Sequence, residues 1–275
     1  MAHVALVTGG SSGIGRAAAL ALAERGSTVY AAARSIARMA DLEQKGIRAL
    51  ALDVTDDDSL RAAVGTVLAE QSRIDVLVNS AGHGAFGSIE ETPLDVAREQ
   101  FQVNLFGLAR LTQLVLPAMR AQGSGRIVNI SSLAGFFASP LGGWYSASKF
   151  ALEAMSDSLR VEVSQFGIDV VLVEPGPVRT EWHARADVGL RHVSSSGPYA
   201  TLAEGVSRVI TGFDDEPITS DAEDVAAVIV TAATADRPRP RYLVGRGAHL
   251  AVAFRRLLPD RAWDKAVLRR HSVAG

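Results

Sequence analysis

Tyr145 and Lys149 stand four residues apart in WYSASKF, at the head of a run with helical period. Residues at i and i+4 share a helix face, so the phenol and the ammonium would lie side by side. A phenol with its ordinary pKa near ~10 is a poor acid–base group at neutral pH unless its anion is stabilised. A lysine one turn away supplies a positive charge that favours the anion. With three lysines and four tyrosines in the chain, such a pair arises by accident with a probability on the order of 0.04, too high for the pair to stand alone.

A second stretch, VTGGSSGIGRAAA, sets Gly9, Gly13 and Gly15 between a strand-like run and a helix-like run. Glycines there allow a tight turn and let the backbone approach a pyrophosphate closely. The helix N-terminus then offers free N–H groups and a favourable dipole. The spacing Gly-x-x-x-Gly-x-Gly differs from the commoner Gly-x-Gly-x-x-Gly fingerprint, so a ligand-free β–α turn stays as the alternative.

These groups need a scaffold, and hydrophobic periodicity predicts one. Residues 3–9, 27–34, 47–54, 74–82, 125–132 and 168–176 read as strands. Residues 14–26, 36–45, 59–71, 94–122 and 144–166 read as helices,. Pro117 is expected to kink or break the long helix over 94–122,. Strands alternating with helices predict an α/β fold, a doubly wound parallel sheet with helices on both faces. Nearly all-apolar strands, such as residues 170–173, fit a sheet covered on both sides,. The stretch 180–200, containing Gly, Ser and Pro, predicts a mobile excursion,. Helices near 200–211 and 221–234 and a strand at 241–245 follow. The whole, 1–275, reads as a single domain with an irregular substrate-side segment over about 180–220 and a C-terminal extension over about 246–275.

Composition narrows the classes. At 275 residues, 48% hydrophobic and 21% charged, the chain suits a globular protein with a substantial core,. A net charge of −2 gives no global field to recruit nucleic acid,. With no cysteine, disulfides, thiolate nucleophiles and Cys-based metal sites are excluded, and a reducing cytoplasm is the expected location,. The six histidines form no pair at helical metal-ligand spacing, so no metal site is expected. No leader peptide is expected from the opening residues, nor a membrane span from any apolar run.

Taken in order, the motifs resemble the short-chain dehydrogenase/reductase family. TGGSSGIG (8–15), LDV (52–54), NSAG (79–82), Asn104 in VNLFG, NISS (129–132), Tyr145 with Lys149, and PGPVRT (175–180) carry the resemblance, which spans about residues 3–182. It implies a Rossmann-type fold and a nicotinamide dinucleotide cofactor. Gly9, Ser11, Ser12, Gly13, Ile14 and Gly15 would cradle its pyrophosphate. Asp53 would contact the adenine amino group, with the Val54 backbone beside it. Asn79, Ala81 and Gly82 would stabilise the sheet edge beneath it, Ser80 being a departure from the family's Asn or Ala. Pro175 and Gly176 would set the turn that brings Val178 and Thr180 to the nicotinamide carboxamide. Among the two adjacent serines, the family's interval of thirteen residues selects Ser132 for the substrate oxygen and leaves Ser131 structural. Tyr145 would be the acid/base, Lys149 its tuner and the anchor of the nicotinamide ribose, and Asn104 the support of a proton-relay water. Pairing into a homo-oligomer, dimer or tetramer, through the helices bearing Asn104 and Tyr145 is also implied.

The end of the second strand predicts which nicotinamide. An acidic residue about 20 positions after the glycine turn binds the ribose 2′-OH of NAD, whereas a cation there accommodates the 2′-phosphate of NADP. Ala33 occupies the expected acidic position and Arg34 follows it, with no carboxylate on that strand. NADP(H) is the predicted cofactor.

His83, Phe86, Leu133, Phe136, Phe137, Leu141, Trp144, Trp182 and His183 fall at or after the carboxyl ends of strands, where open α/β sheets bind ligands,. This mostly aromatic set predicts a bulky hydrophobic carbonyl or alcohol as substrate. The tail over 241–270 resembles those of hydroxysteroid- and retinol-type members. Its Arg255, Arg256, Arg261, Arg269 and Arg270 beside Leu, Phe and Trp permit peripheral membrane contact, which Pro259, Asp260 and Asp264 argue against,. A solvated helix near the substrate mouth is expected instead. The reading is an NADP(H)-dependent oxidoreductase acting on a hydrophobic ketone or aldehyde. A 3-oxoacyl reductase-type enzyme and a non-catalytic NADP(H)-binding regulator remain the alternatives.

Overall fold

The computed structural model describes residues 3–272. Strands β1 (Val4–Thr8), β2 (Thr28–Ala33), β3 (Arg48–Ala51), β4 (Val76–Asn79), β5 (Gly125–Ile130), β6 (Ile168–Pro175) and β7 (Arg241–Val244) form one sheet in the order β3-β2-β1-β4-β5-β6-β7. Every pairing is parallel. The order reverses between β1 and β4, which opens a crevice at the carboxyl ends of the strands. The doubly wound sheet expected from the sequence is what the chain forms.

The helices are α1 (Gly13–Glu24), α2 (Ala40–Glu43), α3 (Asp57–Gln71), α4 (Leu94–Phe101), α5 (Leu108–Gln122), α6 (Gly143–Ser164), α7 (Trp182–Ser194), α8 (Ala200–Gly212), α9 (Ala222–Thr234), α10 (Ala248–Leu257) and α11 (Asp260–His271). Strand alternation assigns them to two faces. Ala5, Val7, Val78, Val171 and Val173 face α1 and α9, whose Ala17, Ala18, Ala19 and Ala226 are small enough for the helices to pack closely. Leu6, Leu77, Ile127 and Val170 face the other way, against Leu60, Val64 and Val67 of α3 and Leu111, Val115 and Met119 of α5. Burial on both faces is why these strands carry so few polar residues.

Two expectations are corrected. The break in the segment 94–122 lies at Gln102–Gly107, a π-helical turn between α4 and α5, and not at Pro117, which sits inside α5. Pro117 is exposed, so the carbonyl left without an N–H partner can be hydrated,. The stretch 180–200 is largely helix α7, and the irregular segment over 180–220 is mostly α7 and α8. His183, Ala186 and Leu190 are buried on one face of α7, where Ala203, Val206 and Ile210 of α8 complete an apolar cluster. Gly189 inside α7 costs helix propensity, and burial of that face outweighs it,.

Gly107 closes the π turn where it meets the loop after β3: a Cβ there would overlap the Val54 carbonyl oxygen. Alanine would gain ~1 kcal/mol of helix propensity, but the clash is with backbone and costs ~1–3 kcal/mol or more. We therefore expect Gly107→Ala to lower the urea unfolding midpoint; an unchanged or raised midpoint would show that this close approach is not tight.

Candidate active site

The glycine turn is folded onto itself. Gly9 (φ +71) and Gly13 (φ +53) take left-handed backbone. A Cβ on Gly15 would stand 2.5 Å from the Gly9 carbonyl oxygen, and one on Gly9 would stand 3.0 Å from that of Ser80. Helix α1 starts above this turn with no acidic residue in its first turn, and the Ser12 side chain makes no capping hydrogen bond. Its first N–H groups are thus free for an anion, with Ser11, Ser12 and Ile14 around them. Thr8 Oγ1 accepts from the Ser80 and Ala81 amides at 3.0 Å each, tying the end of β1 to the loop after β4. Asn79 Nδ2 donates to Asn129 Oδ1 at 2.9 Å, locking β4 to β5 beneath exposed Gly82.

At the far side of the turn, Arg34 is exposed after β2 and joins no ion pair among the described residues. Asp53 Oδ1 accepts from the Thr55 amide at 2.9 Å and hydroxyl at 2.8 Å. These bonds hold its carboxyl below the usual range, and the nearby Arg34 charge adds to that. Asp53 makes a turn rather than a helix cap; Asp56 caps α3. At the other end, buried Val178 bridges to Ser220, and the Thr180 side chain reaches Gly13. Pro175 and Gly176 are held beside Val244, the Gly176 amide donating to its carbonyl at 2.9 Å. The tight glycine turn, open helix N-terminus and flanking Arg34 fit a dinucleotide whose pyrophosphate lies on α1.

Tyr145 and Lys149 come from the first two turns of α6, and Ser132 follows β5. Ser132 Oγ accepts from the Ala134 amide at 3.1 Å, and the serine lies near enough to the Tyr145 phenol to favour its anion. Lys149 is buried and donates from Nζ to the Ile130 carbonyl at 2.8 Å, 5.8 Å from the centre of the Tyr145 ring. Asn104, in the π turn, binds His83 through both atoms of its amide: Oδ1 accepts from the His83 amide and Nδ2 donates to its carbonyl, each at 2.8 Å. Nδ2 also donates to Ser148 Oγ at 3.1 Å, and Ser148 in turn donates to the Tyr145 carbonyl at 2.7 Å. The π turn, the loop after β4 and α6 are thereby fixed together.

Burial dominates the electrostatics of the pair. It pushes the Tyr145 phenol up to about 12, and Ser132 pulls the other way. Burial also lowers Lys149 to about 8, against the attraction of Glu153 one turn further along α6.

Sequence reasoning missed the group behind Lys149. Glu174, fully buried on β6, and Glu153 share Arg241 of β7, at 3.1 Å and 3.2 Å. Arg241 also pairs with Asp157 at 2.7 Å. Buried Ser131 lies against Glu153. Two carboxyls in dry surroundings with one guanidinium cannot both ionise readily, and Glu174 rises to about 8, burial first and Glu153 second,. A glutamate inside the apolar run of β6 was the available signal.

On the substrate side, the rings of Phe86, Tyr145 and Trp182 meet at 5.1–5.8 Å. Leu141 lies against them with φ +57, a conformation a branched residue rarely takes; the Gly87 amide donates to its carbonyl at 2.7 Å,. Half-buried Leu133 lies near Gly176, and Phe136 is half-buried beside it in the chain. His83 is exposed in the loop after β4. Three predicted wall residues are placed elsewhere. Trp144 packs edge-on against Phe101 of α4 at 6.4 Å. Phe137 stacks on Trp263 of α11 at 5.1 Å. His183 is buried, its Nδ1 3.0 Å from Asp214 Oδ1. Ala186 and Leu190 of α7 and Val206 and Ile210 of α8, absent from the sequence reading, close the apolar side. Their 3.6-residue spacing was the signal, masked by neighbouring Gly and Ser.

A parallel sheet with this turn and this Ser–Tyr–Lys group defines a dinucleotide-dependent oxidoreductase. Residues 3–188 match the short chain dehydrogenase family. A probable short-chain type dehydrogenase/reductase, VdlC of Helicobacter pylori, is 36% identical over 95% of each chain. An NADPH-dependent 3-dehydrocapnine reductase of Ornithobacterium rhinotracheale is 34% identical over 95% of this chain and 94% of its own. A short-chain dehydrogenase structure from Streptomyces avermitilis superposes with a TM-score of 0.80 at 36% identity, covering 96% and 97% of the two chains. The chain belongs to the short-chain dehydrogenase/reductase family.

The buried acid pair has a pH signature. A carboxyl raised from 4.5 to about 8 on folding stabilises the fold fully below its unfolded value and ceases to do so as pH rises through the folded one,. Stability should therefore fall between about pH 4.5 and 8, and Glu174→Gln, neutral throughout, should flatten that decline in urea unfolding midpoints. An unaltered slope in Glu174→Gln would mean that Glu174 is ionised in the folded protein.

Proposed function

We propose that the chain interconverts a hydrophobic ketone or aldehyde and its alcohol, using NADP(H). The contact of Ser132 with Tyr145 beside the Phe86–Trp182 wall carries this reading. A bound nicotinamide supplies or accepts the hydride at the carbonyl carbon. Ser132 donates a hydrogen bond to the substrate oxygen as negative charge develops there. Tyr145, protonated at neutral pH, gives its proton to that oxygen,. Lys149, largely protonated below about pH 8, offsets the phenolate left behind and would hold the ribose hydroxyls. Asn104 positions Ser148 and the loop after β4, and would support the water that returns the proton.

NADP(H) is supported by exposed, unpaired Arg34 and by the absence of a carboxylate on β2; the NADPH-dependent relative from Ornithobacterium points the same way. Exposed Phe106, Phe150 and Val161 support pairing of subunits through the π turn and α6. The cysteine-free composition suits the cytoplasm.

Two measurements test this. Tyr145→Phe should lower carbonyl reduction by ~10²–10⁴-fold while NADPH affinity changes little; an active variant refutes the proton role. In parallel fluorescence titrations NADPH should bind more tightly than NADH, and Arg34→Ala should remove most of the difference. Equal affinities in the unaltered protein would overturn the Arg34 assignment.

A further inference from the structure

The C-terminal pair α10–α11 carries a surface that the reaction does not use. Helix α10 turns Leu250, Phe254 and Leu257, at i, i+4 and i+7, toward solvent with exposures of 64%, 56% and 80%; Ala248 and Val252 are buried on its other side. A helix on a water-facing surface normally turns its polar side outward, so an exposed apolar stripe marks a contact surface. Helix α11 aligns Arg261, Lys265 and Arg269 at i, i+4 and i+8, all exposed, with exposed Leu268 beside them. These three, and Arg246 and Arg256 flanking the apolar stripe, have no carboxylate partner among the described residues. Residues 246–271 hold seven cations and two carboxylates, a local +5 in a chain whose net charge is −2.

The acids that argue against membrane contact in the sequence lose much of their weight in the structure. Pro259 and Asp260 stand at the junction of the two helices rather than on the apolar stripe. Asp260 is paired with Arg255 at 2.9 Å, which also lies 5.8 Å over the Trp263 ring. Asp264 alone of the two is without a cation partner among the described residues.

We propose that the α10–α11 face docks the protein on an anionic lipid surface. Leu250, Phe254 and Leu257 enter the headgroup region, and the unpaired cations meet the anionic headgroups. A second copy of the chain is the weaker fit, because a two-fold contact through this face would set one +5 patch against another. Trp263 packs at a tilt against Phe137 of the loop after β5, which anchors α11 to the body of the molecule. The described helices include none long and apolar enough to cross a membrane, so the contact is peripheral. The docking does not depend on the proposed reaction, and its test reads binding alone.

Flotation of the full chain with phosphatidylcholine vesicles, with and without phosphatidylglycerol, decides the matter. Binding is expected only to the anionic vesicles and is expected to weaken at high salt. Arg261→Gln with Lys265→Gln should lower the partition coefficient about 30-fold, and Phe254→Ser with Leu257→Ser by about tenfold or more. Arg98→Gln, a cation removed from α4, should leave it unchanged. All substituted side chains are exposed, and thermal unfolding confirms that each variant is folded. No binding, or equal binding to both vesicle types, overturns the proposal with the unaltered protein alone. A concentration-dependent oligomer without lipid, abolished by Phe254→Ser with Leu257→Ser, would overturn it in favour of a second copy.

Discussion

A buried ammonium organises this molecule. Lys149 lies in the core side of α6 with Nζ donating to the Ile130 carbonyl at the end of β5. An unpaired charge in such surroundings costs several kcal/mol, so the groups around it are constrained by its presence. The bond fixes α6 against β5 and thereby sets Tyr145 beside Ser132, the residue two positions beyond Ile130. One turn along α6, Glu153 supplies the countercharge that offsets part of the desolvation. Glu153 in turn needs a cation, which β7 provides as Arg241, and Glu174 fills the rest of that buried space in a protonated state. The last strand of the sheet is thus coupled to the first turns of the reactive helix through charge rather than through apolar packing.

The π turn answers a second constraint. From within that turn Asn104 reaches the loop after β4 through both atoms of its amide and Ser148 on α6 through Nδ2. The bulge sits where Gly107 lets the backbone press against Val54, so the same residue that permits close packing ends the distortion. Pro117 looked like the break because its missing N–H is visible in the sequence; its exposure, which makes the defect tolerable, is not.

That contrast describes what could be read in advance. The sheet, its order of strands and helices, the glycine turn and the Tyr145–Lys149 pair depend on local spacing, and local spacing is written in the chain. Trp144 and Tyr145 are neighbours in sequence, yet one faces Phe101 and the other Phe86 and Trp182, because α6 turns ~100° between successive residues,. Helix α7 was hidden because its buried face is short and interrupted by Gly189, and only α8, distant by a loop, makes that face worth burying. Glu174 was passed over because a strand's apolar run says where it lies but not which charged side chains converge on it. The desolvation of Tyr145 was hidden for a related reason: proximity along α6 is visible in the sequence, whereas burial belongs to the folded surroundings.

The same desolvation sets the resting protonation of the pair. A phenol held at about 12 is protonated at neutral pH, the form that gives a proton to a carbonyl oxygen as it is reduced. Alcohol oxidation would begin from the phenolate instead. Reaching it at pH 7 from a pKa of about 12 costs ~7 kcal/mol at ~1.4 kcal/mol per pH unit. Lys149, still mostly protonated at that pH and held at Ile130, stands beside the phenol as a fixed positive charge. In the folded chain by itself, Tyr145 and Lys149 are therefore both predominantly protonated at neutral pH, and the phenolate becomes accessible only where further positive charge stands beside it,.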